Sequence, residues 1–270
     1  MVELAEQAPL LIGSLLFIFG AIFGSFANVV IYRMPEGQSV VKPGSHCFSC
    51  KTPVAWHDNI PIISWFLLRG KCRKCGAQFS GRYALVEFLM GALFCALFFW
   101  HGWNWTLLEH CIFIFGLVTA SFIDFDHMIL PDEFTLSGIV IGLIGAALIP
   151  AREFMPALWG VLVGGGFLWA IAAIYMAVRK IDGMGGGDIK LLAWIGAVLG
   201  WQSIPFVVLS ASVVGTLVGL YQMSKSKDGL QTAIPFGPYL ALGAILFIFG
   251  GESLGEAYVR FFIPSLGTAN

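Results

Sequence analysis

The chain has 270 residues, 58% hydrophobic, 14% aromatic and only 11% charged, with a formal net charge of −1. That balance exceeds what a soluble domain of this length needs to fill its core, and it excludes an ordinary water-soluble protein. Apolar runs of about 20 residues recur along nearly the whole length, enough for a helix to cross a hydrocarbon layer of ~30 Å, and they lack the alternation of barrel strands. An all-α polytopic membrane protein is therefore expected.

In chain order, Met1-Val-Glu-Leu-Ala-Glu-Gln7 carries Glu3 and Glu6 but no Lys or Arg. The apolar run after it lacks the basic flank of a secretory signal peptide, so 9–32 reads as a retained first transmembrane helix. Residues 33–82 form the long polar stretch and hold eight of the 15 Lys and Arg. The positive-inside rule makes that stretch cytoplasmic and places the N-terminus outside. Further spans are expected at 83–101, 106–124, 134–150, 157–178, 188–201, 206–223 and 231–250, giving about eight transmembrane helices. Residues 83–250 would then be a seven-helix core and 251–270 a short extracytoplasmic tail. Residues not used in that assignment agree with it: the inside loops gain Arg179, Lys180, Lys190, Lys225 and Lys227, the outside ones only Arg152 and Arg260. Trp100, Trp103 and Trp105 fall where an outer aromatic belt belongs, and no internal repeat is evident.

Cys47-x2-Cys50 and Cys72-x2-Cys75 lie in the basic loop. Four thiolates in two knuckles match a tetrahedral structural Zn2+ site, and a reducing compartment disfavours disulfides. Zn2+ with four thiolates carries a net charge of about −2, which Lys51, Lys71, Arg73 and Lys74 offset. The metal is expected to shape the loop, because four Cys leave no open position for chemistry. Cys95 and Cys111 lie within spans and read as packing residues.

Charge at membrane depth costs roughly 2.5–3.5 kcal/mol even on lenient scales, so acids at the ends of spans are functional candidates. Asp124 ends the third span going inward and Asp188 begins the sixth going outward, so both carboxylates fall at the cytoplasmic face. Asp124 is preferred over Asp126 as the acid nearer the membrane, on the helix side of Leu117, Ala120 and Ser121. Asp132, after Pro131, reads as a helix cap. Gly185, Gly186 and Gly187 remove side chains ahead of Asp188 and would let an extended peptide backbone approach. Two carboxylates that close share one proton near neutrality, which suits aspartyl proteolysis and equally proton-coupled transport. His46, His57 and His127 read as interfacial or solvated.

Several segments resemble the bacterial prepilin peptidases, or type IV leader peptidases, a family of GxGD-type membrane aspartyl proteases. They are Gly24-Ser-Phe-Ala-Asn-Val-Val-Ile-Tyr-Arg33, the Cys pairs, Asn59-Ile-Pro-Ile-Ile-Ser-Trp-Phe-Leu-Leu-Arg-Gly70, Arg82-Tyr-Ala-Leu-Val-Glu87, Asp124-Phe-Asp-His-Met-Ile-Leu-Pro-Asp132 and Gly185-Gly-Gly-Asp-Ile-Lys190. Ala84 departs from the Pro common after Arg-Tyr. The resemblance implies that Asp124 and Asp188 are the catalytic pair. It also implies cleavage of type IV prepilins and type II secretion pseudopilins at the cytoplasmic face of the bacterial inner membrane, after a Gly ending a basic leader. A second activity, methylation of the new N-terminus with S-adenosylmethionine, is implied too, and the Cys loop looks like the segment linked to it. No fold for that cofactor is legible, so its site stays unplaced. Glu87, inside the second span, needs a partner or a water-filled cavity; a structural pairing with a basic residue is preferred over a part in methyl transfer. The lipid bilayer and the pilin substrates are the expected partners, with no nucleic acid; the oligomeric state is open.

Overall fold

The structure, a computed structural model, describes residues 2–180, 185–225 and 234–251. The first residues of the predicted last span, nearly all of the 251–270 tail, Lys227 and Arg260 lie outside the described residues. Among the described residues the protein is helical, with two isolated β-bridges and no strand.

The helices are α1 (Val2–Gln7), α2 (Pro9–Arg33), α3 (Ile63–Leu67), α4 (Arg82–His101), α5 (Trp105–His127), α6 (Asp132–Leu148), α7 (Phe154–Arg179), α8 (Gly186–Leu199), α9 (Ser203–Lys225) and α10 (Gly237–Leu246). A helix thus lies at each predicted span. Five of them, α2, α4, α5, α7 and α9, are long and apolar enough to cross a membrane. The others are shorter: α6 has 17 residues, α8 has 14 and α10 has 10. At 1.5 Å per residue α8 reaches only about 21 Å, less than the ~30 Å hydrocarbon thickness.

The chain divides into two compact units, residues 1–123 and 124–270, with the boundary inside α5. In the first, α2 packs along α4. Apolar attraction between helices is weak in lipid, so close backbone approach must supply the contact. Gly20 and Gly24 provide it: a Cβ at Gly20 would meet Met90 O at 2.7 Å, and one at Gly24 would meet Glu87 Cα at 2.6 Å. Aromatic rings extend the seam toward α5, where Phe23 meets Phe115 edge-on at 5.7 Å.

In the second unit α8 is central, packed between α6 and α7, while α10 lies on α9. Eight consecutive residues of α8, Leu191–Val198, are buried. Its neighbours make room with glycine: Gly160 of α7 faces the backbone of Gly196, and Gly138 of α6 takes the indole of Trp194. At one end of the unit Arg152 closes the helices by donating to Ala197 O at 2.6 Å and Gly142 O at 3.2 Å. Bulky side chains of α7, among them Trp159, Phe167, Trp169 and Ile174, stay exposed, as lipid-facing groups would.

Candidate active site and four-cysteine centre

In α5 the side of Leu117, Ala120, Ser121 and Asp124 is buried, and Asp124 is only 5% exposed although it lies a turn from the helix end. Asp126 and His127 are exposed. The helix stops where Met128 adopts φ 56°, its N–H still bonded to Asp124 O. Asp124 Oδ2 accepts the backbone N–H of Gly237 at 3.1 Å. A Cβ at Gly237 would lie 2.7 Å from that same oxygen and 3.1 Å from Leu130, so only glycine fits.

Asp188 is the third residue of α8 and half-buried, and it lies within electrostatic range of Asp124. The N-cap of α8 is Gly185, with no side-chain cap bond, so Asp188 is not the cap of its helix. The three glycines before it divide. A Cβ at Gly185 or Gly186 would meet no described atom within 4 Å, whereas one at Gly187 would strike Leu130 Cβ at 2.8 Å. The open approach to Asp188 is thus at Gly185 and Gly186, and Gly187 seats Leu130, which also covers Gly237.

Asp132 differs from the capping expectation. It is the first residue of α6, after Pro131 at the N-cap, and its Oδ1 takes Lys190 Nζ at 2.6 Å. That ion pair ties the start of α6 to the first turn of α8. The Gly237 contact was not read from the sequence; the signal was Pro235-Phe-Gly-Pro238, a rigid turn whose one glycine marks close backbone approach.

The four cysteines of the loop are brought together, with Cys47, Cys50, Cys72 and Cys75 placing all Sγ atoms within 4.8 Å of one another. The Cys47 and Cys75 sulfurs are 3.7 Å apart. Four Zn–S bonds of ~2.3 Å in a tetrahedron require sulfurs about 3.8 Å apart, so the arrangement fits Zn2+. Two matched turns build the cluster. In each turn the first Cys N–H bonds a carbonyl five residues on: Cys47 to Thr52 at 2.9 Å, Cys72 to Ala77 at 2.8 Å. The residue after the second Cys is left-handed in both, Lys51 at φ 55° and Gly76 at φ 72°. Isolated bridges His46–Pro53 and Lys71–Gln78 close them at the same offset. The shifts divide within the cluster: the Thr52 hydroxyl and N–H bring the Cys50 thiol down to about 6 and the N–H groups of Cys75 and Lys74 lower Cys72, while desolvation and the neighbouring sulfurs, against the Ala77 N–H, push Cys75 up to about 11.

Arg33, 7% exposed, anchors the start of the loop by donating to the carbonyls of Ser39, Pro43 and Gly44. In the middle of the loop Asp58 accepts from Nε and one terminal nitrogen of Arg73, at 2.8 and 2.6 Å, which holds its carboxyl below the usual range. Glu87, 8% exposed, meets no basic partner of the expected kind among the described residues: its Oε2 accepts the Ile62 N–H at 2.7 Å.

Helices of membrane length, a buried acid at the end of one of them and a four-cysteine insertion define a multi-pass membrane protein whose acids suit hydrolysis. The profile of the type IV leader peptidase family matches residues 111–220, and that of the bacterial peptidase A24 N-terminal domain matches 18–101. Curated relatives named prepilin leader peptidase/N-methyltransferase cover nearly the whole chain. The Stutzerimonas stutzeri protein is 36% identical over 96% of this chain and 98% of its own length. That of Aeromonas hydrophila is 35% identical over 97% and 99%, and that of Neisseria gonorrhoeae 34% over 95% and 96%. No solved structure matches. The chain belongs to the type IV leader peptidase family and is a membrane peptidase.

Proposed function

We propose that the protein is a bifunctional prepilin processing enzyme with Asp124 and Asp188 as its catalytic pair. It cleaves the basic leader of type IV prepilins and type II secretion pseudopilins after Gly, then methylates the new N-terminus. The observation that carries the reading is the buried Asp124, held by the Gly237 N–H, with Asp188 close enough to feel its charge. Between them the pair holds one proton. One carboxylate takes a proton from the attacking water while the other protonates the scissile carbonyl; collapse of the resulting diol breaks the C–N bond and returns a proton to the leaving amine. Gly185 and Gly186 leave room for the extended peptide. The names of the relatives support both activities, and the second requires S-adenosylmethionine as methyl donor.

Zn2+ is the metal for the cysteine cluster, bound by Cys47, Cys50, Cys72 and Cys75 in a structural role within the 33–82 loop. In the bilayer, eight crossings within 9–250 place the loop and acid pair in the cytoplasm and both termini in the periplasm of the inner membrane. Loop charge supports that orientation.

The direct test incubates purified protein with a purified prepilin in detergent and records the product's N-terminal mass. A product beginning after the leader's Gly, and about 14 Da heavier only when S-adenosylmethionine is present, is the expected result. Ion flux that needs either Asp without peptide cleavage would replace the reading with a transporter.

A further inference from the structure

The 33–82 loop carries an apolar run that the cysteine turns do not account for, Ile60-Pro-Ile-Ile-Ser-Trp-Phe-Leu-Leu68. At nine residues it is too short to span a bilayer, and it is unusually apolar for a loop in water. Its helix, α3, shows inverted polarity. Ser64 is buried, its hydroxyl donating to His57 O at 3.1 Å and accepting the Ile60 N–H at 3.0 Å. Trp65 also turns inward, with its indole N–H bonded to Phe79 O at 3.3 Å and its ring lying against Gly70 and Gly81. Outward stand Ile63, Phe66 and Leu67, the last 77% exposed, and Trp56 before them is 81% exposed. A helix at a water surface buries its apolar side chains and exposes its polar ones; α3 does the reverse, as an element in contact with lipid does.

Depth points the same way. The Ile62 N–H is held by Glu87 Oε2, and Glu87 lies five residues, about 7.5 Å, inside α4 from Arg82. Both α2 and α4 are long and apolar enough to cross a membrane, and Tyr83, Leu85 and Phe88 of α4 are exposed around that level. The start of α3 is thus fastened beside the first turns of a membrane helix, where an apolar side chain without protein cover meets lipid rather than water. Arg69 and Lys71, which follow the run, are exposed and suit the phosphates of anionic lipid, whereas they would repel the basic leader of the proposed substrate.

We propose that α3 is an interfacial anchor: Trp56, Ile63, Phe66 and Leu67 enter the bilayer crossed by α2 and α4, at the boundary of headgroups and acyl chains, with Arg69 and Lys71 on the lipid phosphates. A helix of five residues does not hold its shape alone, and the bonds of Ile62, Ser64 and Trp65 supply that shape before lipid is met. The loop is then tied to the membrane at three places, the ends of α2 and α4 and α3 between them. This anchor does not depend on the catalytic roles proposed above.

The experiment replaces Leu67 with the photoreactive residue p-benzoylphenylalanine in the full-length protein, held in nanodiscs of phosphatidylethanolamine and phosphatidylglycerol with a purified prepilin added. Adducts formed on irradiation are identified by mass spectrometry. A second protein carries the same probe in place of Ser49, an exposed polar residue between Cys47 and Cys50. Phospholipid adducts are expected at position 67, about tenfold or more above those at position 49, the ratio that burying one Leu or Phe side chain implies. Exchanging phosphatidylglycerol for phosphatidylcholine should lower the yield about fivefold, the weight of one basic side chain at an anionic surface. Adducts from position 67 to the prepilin or to a second copy of the chain, or lipid adducts no more frequent than at position 49, overturn the anchor. A yield indifferent to phosphatidylglycerol overturns the part given to Arg69 and Lys71.

Discussion

At the end of α5 two neighbouring acids differ in burial, Asp124 being buried and Asp126 exposed. Asp124 and Asp126 differ by two residues, which on a helix points them to different faces, and only Asp124 shares the face of Leu117 and Ser121. Sequence pattern made that difference in burial legible, but it could not find Gly237, because the contact joins residues 113 apart through a backbone N–H. Gly237→Ala would push a methyl group against Asp124 Oδ2 and Leu130. Displacing a catalytic group by ~1 Å can cost about 100-fold, so cleavage by this variant should fall by that order while helix content by circular dichroism stays unchanged. Glu87 was legible as a buried acid, but its partner was not, since Ile62 offers only a main-chain N–H from a turn with φ 64°. For Asp58 the sign of its pH effect follows from its pairing. Arg73 lowers its carboxyl below the unfolded value, so the pair's support for the loop is present above that value and lost as pH falls through the folded one. Asp58→Asn should therefore speed proteolysis of the loop at pH 7, with mutant and wild type converging in acid; a difference that persists once Asp58 is protonated would show that the pair is not the cause.

Among the elements, the helices were the most legible because each apolar run is long and flanked by charge or by glycine. Their ends moved by a few residues where local chemistry decided: α6 starts at Asp132 after Pro131, and α10 starts at Gly237 just before Pro238. What the apolar runs concealed was the packing, written in small residues such as Gly20 and Gly24 on α2 and Gly160 and Gly164 on α7. Gly160→Leu would force α7 off the Gly196 backbone. Overpacking typically costs about 1–3 kcal/mol, and with backbone on the opposing side the cost should reach the upper end, read as a lower midpoint of thermal unfolding in detergent. The cysteine spacing made the gathering of the four thiols legible. The matched turns around them were not legible, because hydrogen-bond offsets and left-handed residues such as Lys51 leave little trace in residue types. Chelation of the metal should make residues 33–82 sensitive to protease while leaving leader cleavage largely intact. Unchanged protease resistance after complete metal removal would mean that the loop's own contacts, Arg33 and Asp58 among them, suffice.

For the whole molecule, composition alone announced a polytopic membrane protein, and the charge bias of its loops carries the proposed orientation. Three of the eight predicted crossings, α6, α8 and α10, are short by length, so their depth depends on packing against longer neighbours rather than on span length. Single cysteines placed at Glu36 and at Glu153 in an otherwise unreactive background should label from opposite sides of inner-membrane vesicles; labelling from one side would break the eight-crossing arrangement. The central claim is that Asp124 and Asp188 act as one catalytic unit. The measurement that bears on it most directly is single-turnover cleavage of a purified prepilin by wild type, Asp124→Asn, Asp188→Asn and the double variant. The account predicts that each single change lowers the rate by about 10⁴-fold with folding preserved, and that the double variant is hardly worse than either, as for residues that work together. Cleavage that survives either substitution, or losses that simply multiply in the double variant, would contradict it.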